Sequence, residues 1–138
     1  MKVQKIKQFS VFMPNKPGAL SRLAALFHEK GINILGIASE VRDDSGLVRI
    51  ALENDAQVSH ILSQAGFSSV ETSILSVEVD DRPGQLLRVT EALAEGKINI
   101  TTVYGTSVAG AKTARILIAV QNADKALAVL QELAARAA

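Results

Sequence analysis

Two short stretches, Asn15–Leu20 (Asn-Lys-Pro-Gly-Ala-Leu) and Asp81–Leu86 (Asp-Arg-Pro-Gly-Gln-Leu), decide the interpretation of this sequence. Each lies between an alternating apolar segment, typical of a strand, and an amphipathic segment, typical of a helix. Each is followed by an Ile-Asn-Ile stretch, Ile32–Ile34 in the first case and Ile98–Ile100 in the second. Both pairs are separated by the same 66 residues. A constant separation in two different motifs indicates an internal duplication.

The segments around the first stretch predict a unit with the order β-α-β-β-α-β. Period-two alternation indicates its strands, and apolar residues three and four apart indicate its helices. Arg22 falls on the solvated face of the first of these helices. The predicted elements are a strand over 5–13, a helix from Leu20 that stops at Gly31, strands over 32–41 and 47–53 joined by a turn over 43–46, a helix capped by Asn54 and Asp55, and a strand over 67–74.

The second copy predicts the same order without its last strand. Its elements are a strand over 75–79, a helix from Pro83, strands over 98–107 and 112–120, and a helix from about Asn122. Arg115 follows Arg49 by 66 residues, whereas the last helix matches the earlier one at an offset of 68. The expected domains are therefore 1–74 and 75–138, and the expected fold class is α+β. Each unit is predicted as a ferredoxin-like antiparallel sheet with its helices on one face.

Composition excludes several classes of function. The 138 residues are 48% hydrophobic but only 4% aromatic, which predicts an aliphatic core. A net charge of +1 offers no concentrated basic field for nucleic acid. The absence of cysteine excludes disulfides and thiolate chemistry. The first residues do not resemble a signal peptide and no apolar run approaches the ~20 residues of a membrane span, so a cytoplasmic protein is expected.

The residues suited to catalysis do not form a recognisable set. His28 and His60 stand alone at polar helix positions, without a partner at metal-ligand or acid–base spacing. The acidic pairs Asp43-Asp44 and Asp80-Asp81 have the composition of turns. No glycine-rich phosphate loop occurs. We therefore expect no enzymatic activity, no cofactor and no metal.

The chemistry of the repeated loop favours a small ligand. A strand that runs through Asn/Asp-x-Pro-Gly into a helix exposes backbone N–H groups at the helix N-terminus, where a carboxylate binds well. Oxygen atoms of Asn15 or Asp81 could accept hydrogen bonds from an ammonium group, and Asn33 and Asn99 start the neighbouring strands. Donors for a carboxylate and acceptors for an amine describe an α-amino acid. Turn and capping chemistry explains the same residues without a ligand.

These stretches resemble the ACT domain, a small regulatory module that binds amino acids in metabolic enzymes. The resemblance rests on Asn15–Leu20 with Gly31–Ile34 and on Asp81–Leu86 with Lys97–Ile100, and it covers the whole chain as a tandem pair. It implies two units side by side, with effector sites between units. The implied pairs are Asn15 with Asn99 and Asp81 with Asn33. The other implied ligand-binding residues are Lys16, Gly18, Ala19, Leu20, Gly84, Gln85 and Leu86.

The sequence departs from the ACT pattern at two points. Asp81 stands where the family has an amide, which favours the Asn15 loop as the working ligand site. The final strand of the second unit is missing, which favours a homodimer. One alternative is a regulatory subunit of an amino-acid biosynthetic enzyme, because Pro17–Arg22 also looks like the start of the acetolactate synthase small subunit. Another is a purely structural dimerisation module.

Overall fold

The computed structural model describes residues 1–53 and 57–136, and the predicted cap at Asn54 and Asp55 lies outside them. The described residues form six strands and four helices. These are β1 (Lys2–Pro14), α1 (Ala19–Glu29), β2 (Gly36–Arg42), β3 (Ser45–Leu52), α2 (Val58–Gln64), β4 (Ser68–Asp80), α3 (Gln85–Glu95), β5 (Ile100–Thr106), β6 (Thr113–Val120) and α4 (Ala123–Arg136). The chain divides into two compact units, Lys7–Thr72 (the first unit) and Met1–Ile6 with Ser73–Ala138 (the second unit).

In the first unit the strands follow the order β2-β3-β1-β4. β3 pairs antiparallel with both β1 and β2. Ile50 of β3 therefore lies between Phe9 of β1 and Ile37 of β2. The side chains of Phe9, Val11 and Met13 in β1 point to the helices, because they share a core with buried residues of α1 and α2. The core residues are Phe9, Val11, Met13, Leu23, Phe27, Val48, Ile50, Leu52, Val58, Leu62 and Phe67. Both helices therefore cover one face of the sheet, as a ferredoxin-like unit requires.

In the second unit the order is β5-β6-β4-β1, and the start of the chain supplies the last strand. Met1 and Val3 pack against the core formed by β4, β6, α3 and α4. Lys5 Nζ donates to Asp124 Oδ1 at 2.8 Å. This hydrogen bond, with the Lys5 charge, lowers the pKa of the Asp124 carboxyl below its ordinary value. Residues 2–6 thus occupy the strand position that the sequence pattern left empty.

The prediction of two separate strands over 67–74 and 75–79 is wrong. One continuous strand, β4, runs through both stretches, and its residues belong to both units. Period-two alternation continues across Ser73 without a turn residue, so nothing local interrupts the strand. The α+β class and the two ferredoxin-like units are confirmed.

The strand register corrects the alignment of the two repeats. Glu40 lies opposite Leu47 in the first unit, and Thr106 lies opposite Arg115 in the second. The second strands therefore correspond at an offset of 66, but the third strands correspond at 68, because the second hairpin is two residues longer. Arg115 is consequently the counterpart of Leu47 and not of Arg49. Its Nε atom is buried and has no hydrogen-bond partner among the described residues.

The stretch 32–35, predicted as the start of a strand, closes the preceding helix instead. Gly31 has a left-handed φ of 67°. The N–H of Gly31 donates to His28 O and the N–H of Ile32 donates to Phe27 O, which is the Schellman arrangement of a helix C-terminus. Ile32 and Ile34 pack against the core from this connection, so their alternation reflects burial rather than strand pairing. In the same way β5 begins at Ile100 and not at Ile98.

The end of α3 repeats this arrangement with lysine in the left-handed position. Lys97 has a φ of 58°, and its N–H donates to Ala94 O at 2.9 Å. Glycine occupies the preceding position, where a Cβ on Gly96 would lie 3.2 Å from Val129 Cγ2 of α4. Close packing between the helices therefore explains why glycine precedes lysine here, the reverse of Lys30-Gly31.

Lys97→Gly is expected to raise the free energy of unfolding by about 0.5–1 kcal/mol, because glycine removes the left-handed strain and loses part of this gain through its more flexible unfolded chain. Urea unfolding followed by circular dichroism measures this change. Lys30→Gly is the matched control, since Lys30 has a φ of −88°, and it should lower stability. A Lys97→Gly protein no more stable than the parent would contradict the strain argument.

Candidate functional site

The first loop, Asn15–Gly18, is held by backbone hydrogen bonds. The N–H of Asn15 donates to Asp44 O at 2.9 Å, and the N–H of Lys16 donates to Pro14 O at 3.0 Å. Gly18 adopts a φ of 88° and is the N-cap residue of α1. No side chain forms a capping hydrogen bond there. The first turn of α1 therefore begins without a side-chain acceptor, and of its N–H groups that of Ala19 donates to Lys16 O at 3.3 Å.

The second loop, Asp81–Gly84, has the same backbone. The N–H of Asp81 donates to Lys112 O at 2.9 Å, which matches the acceptor Asp44 at the offset of 68. Gly84 adopts a φ of 95° at the start of α3 and likewise brings no side-chain capping bond. Both loops are exposed to solvent. The duplicated sequence thus produces two loops of one geometry, and their differences lie in the side chains.

A cavity of about 290 Å³ opens at the first loop. It is lined by Phe12, Met13, Pro14, Lys16, Pro17, Gly18, Ala19, Arg22, Gly66 and Phe67. Three predicted ligand-binding residues, Lys16, Gly18 and Ala19, are thus brought to one cavity. The lining does not include Asn15 or Leu20, although both are exposed beside it.

Arg22 is the residue of this cavity that sequence reasoning missed. Its Nη2 atom donates to Ala65 O at 2.7 Å, and its guanidinium carbon lies 4.4 Å from the centroid of the Phe67 ring. Helical periodicity placed Arg22 only on the solvated face, because the two contacts lie beyond α2. The available signal was the repeat itself, since Arg88 occupies the same position after the second Pro-Gly.

The second loop carries a buried glutamine where the first carries alanine. Gln85 is 7% exposed, and its Oε1 atom accepts a hydrogen bond from Arg88 Nη1 at 3.3 Å. Leu86, the next predicted ligand-binding residue, is 52% exposed. The predicted residues Asp81 and Gly84 lie exposed in the turn before them.

The two repeated asparagines precede the second strand of their units. Asn33 lies in the first unit with Asn15, and Asn99 lies in the second unit with Asp81. Both are exposed and both lie outside a strand, in the connection that follows the helix. Their side chains are therefore available to solvent, and Asn33 is not a lining residue of the first-loop cavity.

A second, larger cleft of about 600 Å³ adjoins this cavity in the first unit. The two share Phe12, Met13, Pro14 and Gly66. The ring of Phe12 is half exposed between them. On the far side of the cleft, Glu40 Oε1 forms an ion pair with Arg49 Nη1 at 3.0 Å. Charged side chains therefore line both the cavity and the cleft, and the exposed ring of Phe12 lies between them.

Neither histidine approaches this surface, and both are exposed on their helices. Across residues 1–53 and 57–136, no group of three or more histidine, aspartate or glutamate side chains is placed to hold a metal ion. Within the same residues, no helix is both long and apolar enough to cross a membrane.

One family, described as an ACT domain pair, matches residues 4–135. The chain belongs to this family. The ACT domain pair is also similar in structure to a Bacteroides thetaiotaomicron protein, which is 24% identical over 94% of this chain and 89% of that chain, with a TM-score of 0.84. The regulatory subunit of aspartate kinase from Thermus thermophilus is 19% identical over 96% of both chains, with a TM-score of 0.68. These structural similarities establish the fold.

A curated relative matches part of the ACT domain pair more closely in sequence. The probable acetolactate synthase small subunit of Archaeoglobus fulgidus is 41% identical over 51 residues, which is 36% of this chain. The match covers 32% of the relative, so this chain spans about a third of the length of that protein. The relation to a biosynthetic subunit therefore concerns one segment of each chain.

Proposed function

We propose that this ACT domain pair is a non-catalytic regulatory protein that binds a small α-amino acid at its strand-to-helix loop. The observation that carries the proposal is the first-loop cavity, where the first turn of α1 has no side-chain cap and the guanidinium of Arg22 lies over the ring of Phe67. Backbone donors at a helix N-terminus stabilise a carboxylate. Asn15, exposed beside the cavity, supplies an oxygen that can accept a hydrogen bond from an ammonium group.

The size of the cavity favours a small amino acid. Its volume of about 290 Å³ is at the lower end of the range for ligand sites, which is roughly 300–1,000 Å³. Its apolar lining from Phe12, Met13 and Phe67 suits a short apolar side chain better than a charged one. Asn33 and Asn99 are exposed and do not line this cavity, so their proposed role in ligand binding rests on the resemblance to the ACT domain.

A second proposed role is that of a regulatory subunit for an amino-acid biosynthetic enzyme. It is supported by the partial match to an acetolactate synthase small subunit and by the fold shared with a regulatory subunit of aspartate kinase. A catalytic partner co-purifying with the tagged protein from its source organism would support this role. A cytoplasmic location follows from the same metabolic context and belongs to this proposal.

Homodimerisation is also part of the proposal, on changed grounds. Residues 2–6 fill the missing strand, so a partner chain is not needed to complete the second unit. The remaining support is that β2 and β5 are edge strands that carry exposed apolar side chains, Ile37 at 48% and Val103 at 49% exposure. Exposed apolar edges favour pairing with another chain. Sedimentation equilibrium should give twice the monomer mass of 14.6 kDa.

Calorimetric titration with each of the twenty protein amino acids tests the ligand proposal. We expect saturable binding of one or a few small amino acids in the micromolar-to-millimolar range, and weaker binding by Asn15→Ala. Glu29→Ala is a suitable control, because Glu29 is exposed at the end of α1 and is absent from the cavity lining. Silence for all twenty amino acids would contradict the proposal and favour a purely structural module.

A further inference from the structure

The guanidinium group of Arg22 is held in a defined position at the first-loop cavity. Nη2 donates to Ala65 O at 2.7 Å, and the group stacks over Phe67 at 4.4 Å. Gly66, between these two contacts, has a φ of 86° and turns the chain at the end of α2. A Cβ on Gly66 would lie 3.7 Å from Nη2, so backbone lies directly beside the arginine head group. Arginine has five N–H donors, and only one of them is used by Ala65.

The repeat counterpart, Arg88, has a side-chain hydrogen-bond acceptor within its own helix. Its Nη1 atom donates to Gln85 Oε1, and the Gln85 side chain is more than nine-tenths buried. In the first loop the residue that corresponds to Gln85 is Ala19, which lines the cavity and has no oxygen in its side chain. Arg88 also lines a cavity of about 340 Å³ formed by residues of α3 and α4, but no residue of the second loop lines that cavity. The same arginine position therefore meets a side-chain oxygen of its own helix in the second unit, whereas in the first unit it lines the cavity at the loop.

We infer that Arg22 anchors the carboxylate of the bound ligand, and that Gln85 occupies the equivalent position of the second loop as an internal substitute for that carboxylate. The inference rests on the proposed function. A carboxylate at Arg22 accepts a charge-assisted hydrogen bond from the guanidinium while the N–H groups of α1 donate to its other oxygen. The amide oxygen of Gln85 is the neutral equivalent of that carboxylate oxygen.

A consequence is that the two loops differ in occupancy. The first loop binds one ligand, whereas in the second loop the amide of Gln85 occupies the position of the ligand carboxylate. The asymmetry therefore comes from the Gln85 side chain, and the loop backbones remain alike.

The test is calorimetric titration of the full chain and its variants with the twenty protein amino acids. Arg22→Gln should weaken binding by ~10- to 100-fold, the usual value of a hydrogen bond to a charged group. Arg88→Gln is the matched control and should change the affinity by less than about twofold. Gln85→Ala should raise the stoichiometry from one ligand per chain to two, and Gln85→Ala with Arg88→Gln should return it to one.

The outcomes separate this inference from the proposed function. If the parent protein binds an amino acid and Arg22→Gln binds it equally well, the inference is overturned while the proposed function stands. A Gln85→Ala variant that still binds one ligand overturns the substitute role of Gln85. If the parent protein binds none of the twenty, both fail together. Arg22→Lys retains the charge and serves as the folding control, and it should bind more tightly than Arg22→Gln with a similar thermal midpoint.

Discussion

Deletion of residues 1–6 should lower the free energy of unfolding of the second unit by at least about 3 kcal/mol, since burial of one large aliphatic side chain alone stabilises by ~1.5–3 kcal/mol. Ile6 is only 3% exposed, and Met1 and Val3 pack against the core of the second unit. The deletion also removes the backbone partners of β4 along this strand, because β1 and β4 are hydrogen-bonded neighbours. An open strand edge and an uncovered core then face water together.

Urea unfolding followed by circular dichroism measures this effect, and hydrogen exchange of β4 amides locates it. The control is a full-length protein with Lys2→Gln and Lys5→Gln, which keeps the strand. Among the described residues, the contact it loses is the ion pair of Lys5 with Asp124, whose side chains are 43% and 80% exposed, so little stability should be lost. If the deleted protein unfolds at the urea midpoint of the full chain, residues 1–6 are not an integral strand.

Leu93→Ala should destabilise the second unit by about 2–5 kcal/mol, the range for removing a buried leucine side chain. Leu93 is 0% exposed and lies in the core with Val89, Leu130 and Ile118. The surrounding residues come from two helices and a strand, so they cannot close the resulting cavity without moving secondary structure. The Leu93 carbonyl also receives the Ile98 N–H at the end of α3, and that backbone bond should survive the substitution.

Leu87→Ala on the same helix is the matched control for this prediction. Leu87 is 59% exposed, so the substitution leaves no cavity, and alanine is the better helix former. Its free energy of unfolding should stay within about 0.5 kcal/mol of the parent value. Equal losses for the two variants in chemical denaturation would contradict the placement of Leu93 in the core.

Much of the fold could be predicted because its signals are local. Alternation in residues 9–13 and helical spacing of Leu23 and Phe27 identify a strand and a helix, and the structure places all of these residues in one core. The failures occur where two conformations share one pattern. Residues 32–34 alternate as a strand does, yet they bury Ile32 and Ile34 from a helix-terminating connection. Residues 67–79 read as two strands only because the repeat was divided there.

The first loop was predictable to the same degree. Pro17 and Gly18 mark the turn, and the structure brings Lys16, Gly18 and Ala19 to one cavity there. Arg22 was not predictable as part of that cavity, because its position in the helix shows only that it faces outward. Its partner Ala65 is 43 residues away in sequence. No local pattern connects an arginine in one helix with the end of another.

The sequence by itself determined the duplication, the identity of the paired loops and the aliphatic core, because repeat spacing and residue periodicity do not depend on long-range contacts. Only the tertiary structure decided which strand completes the second unit, since residues 2–6 must fold back beside β4 to do so. It also decided the difference between the loops. Arg22 lines the first-loop cavity and Arg88 donates to Gln85 because hydrogen bonds and packing depend on distance in space, which the repeat spacing does not contain.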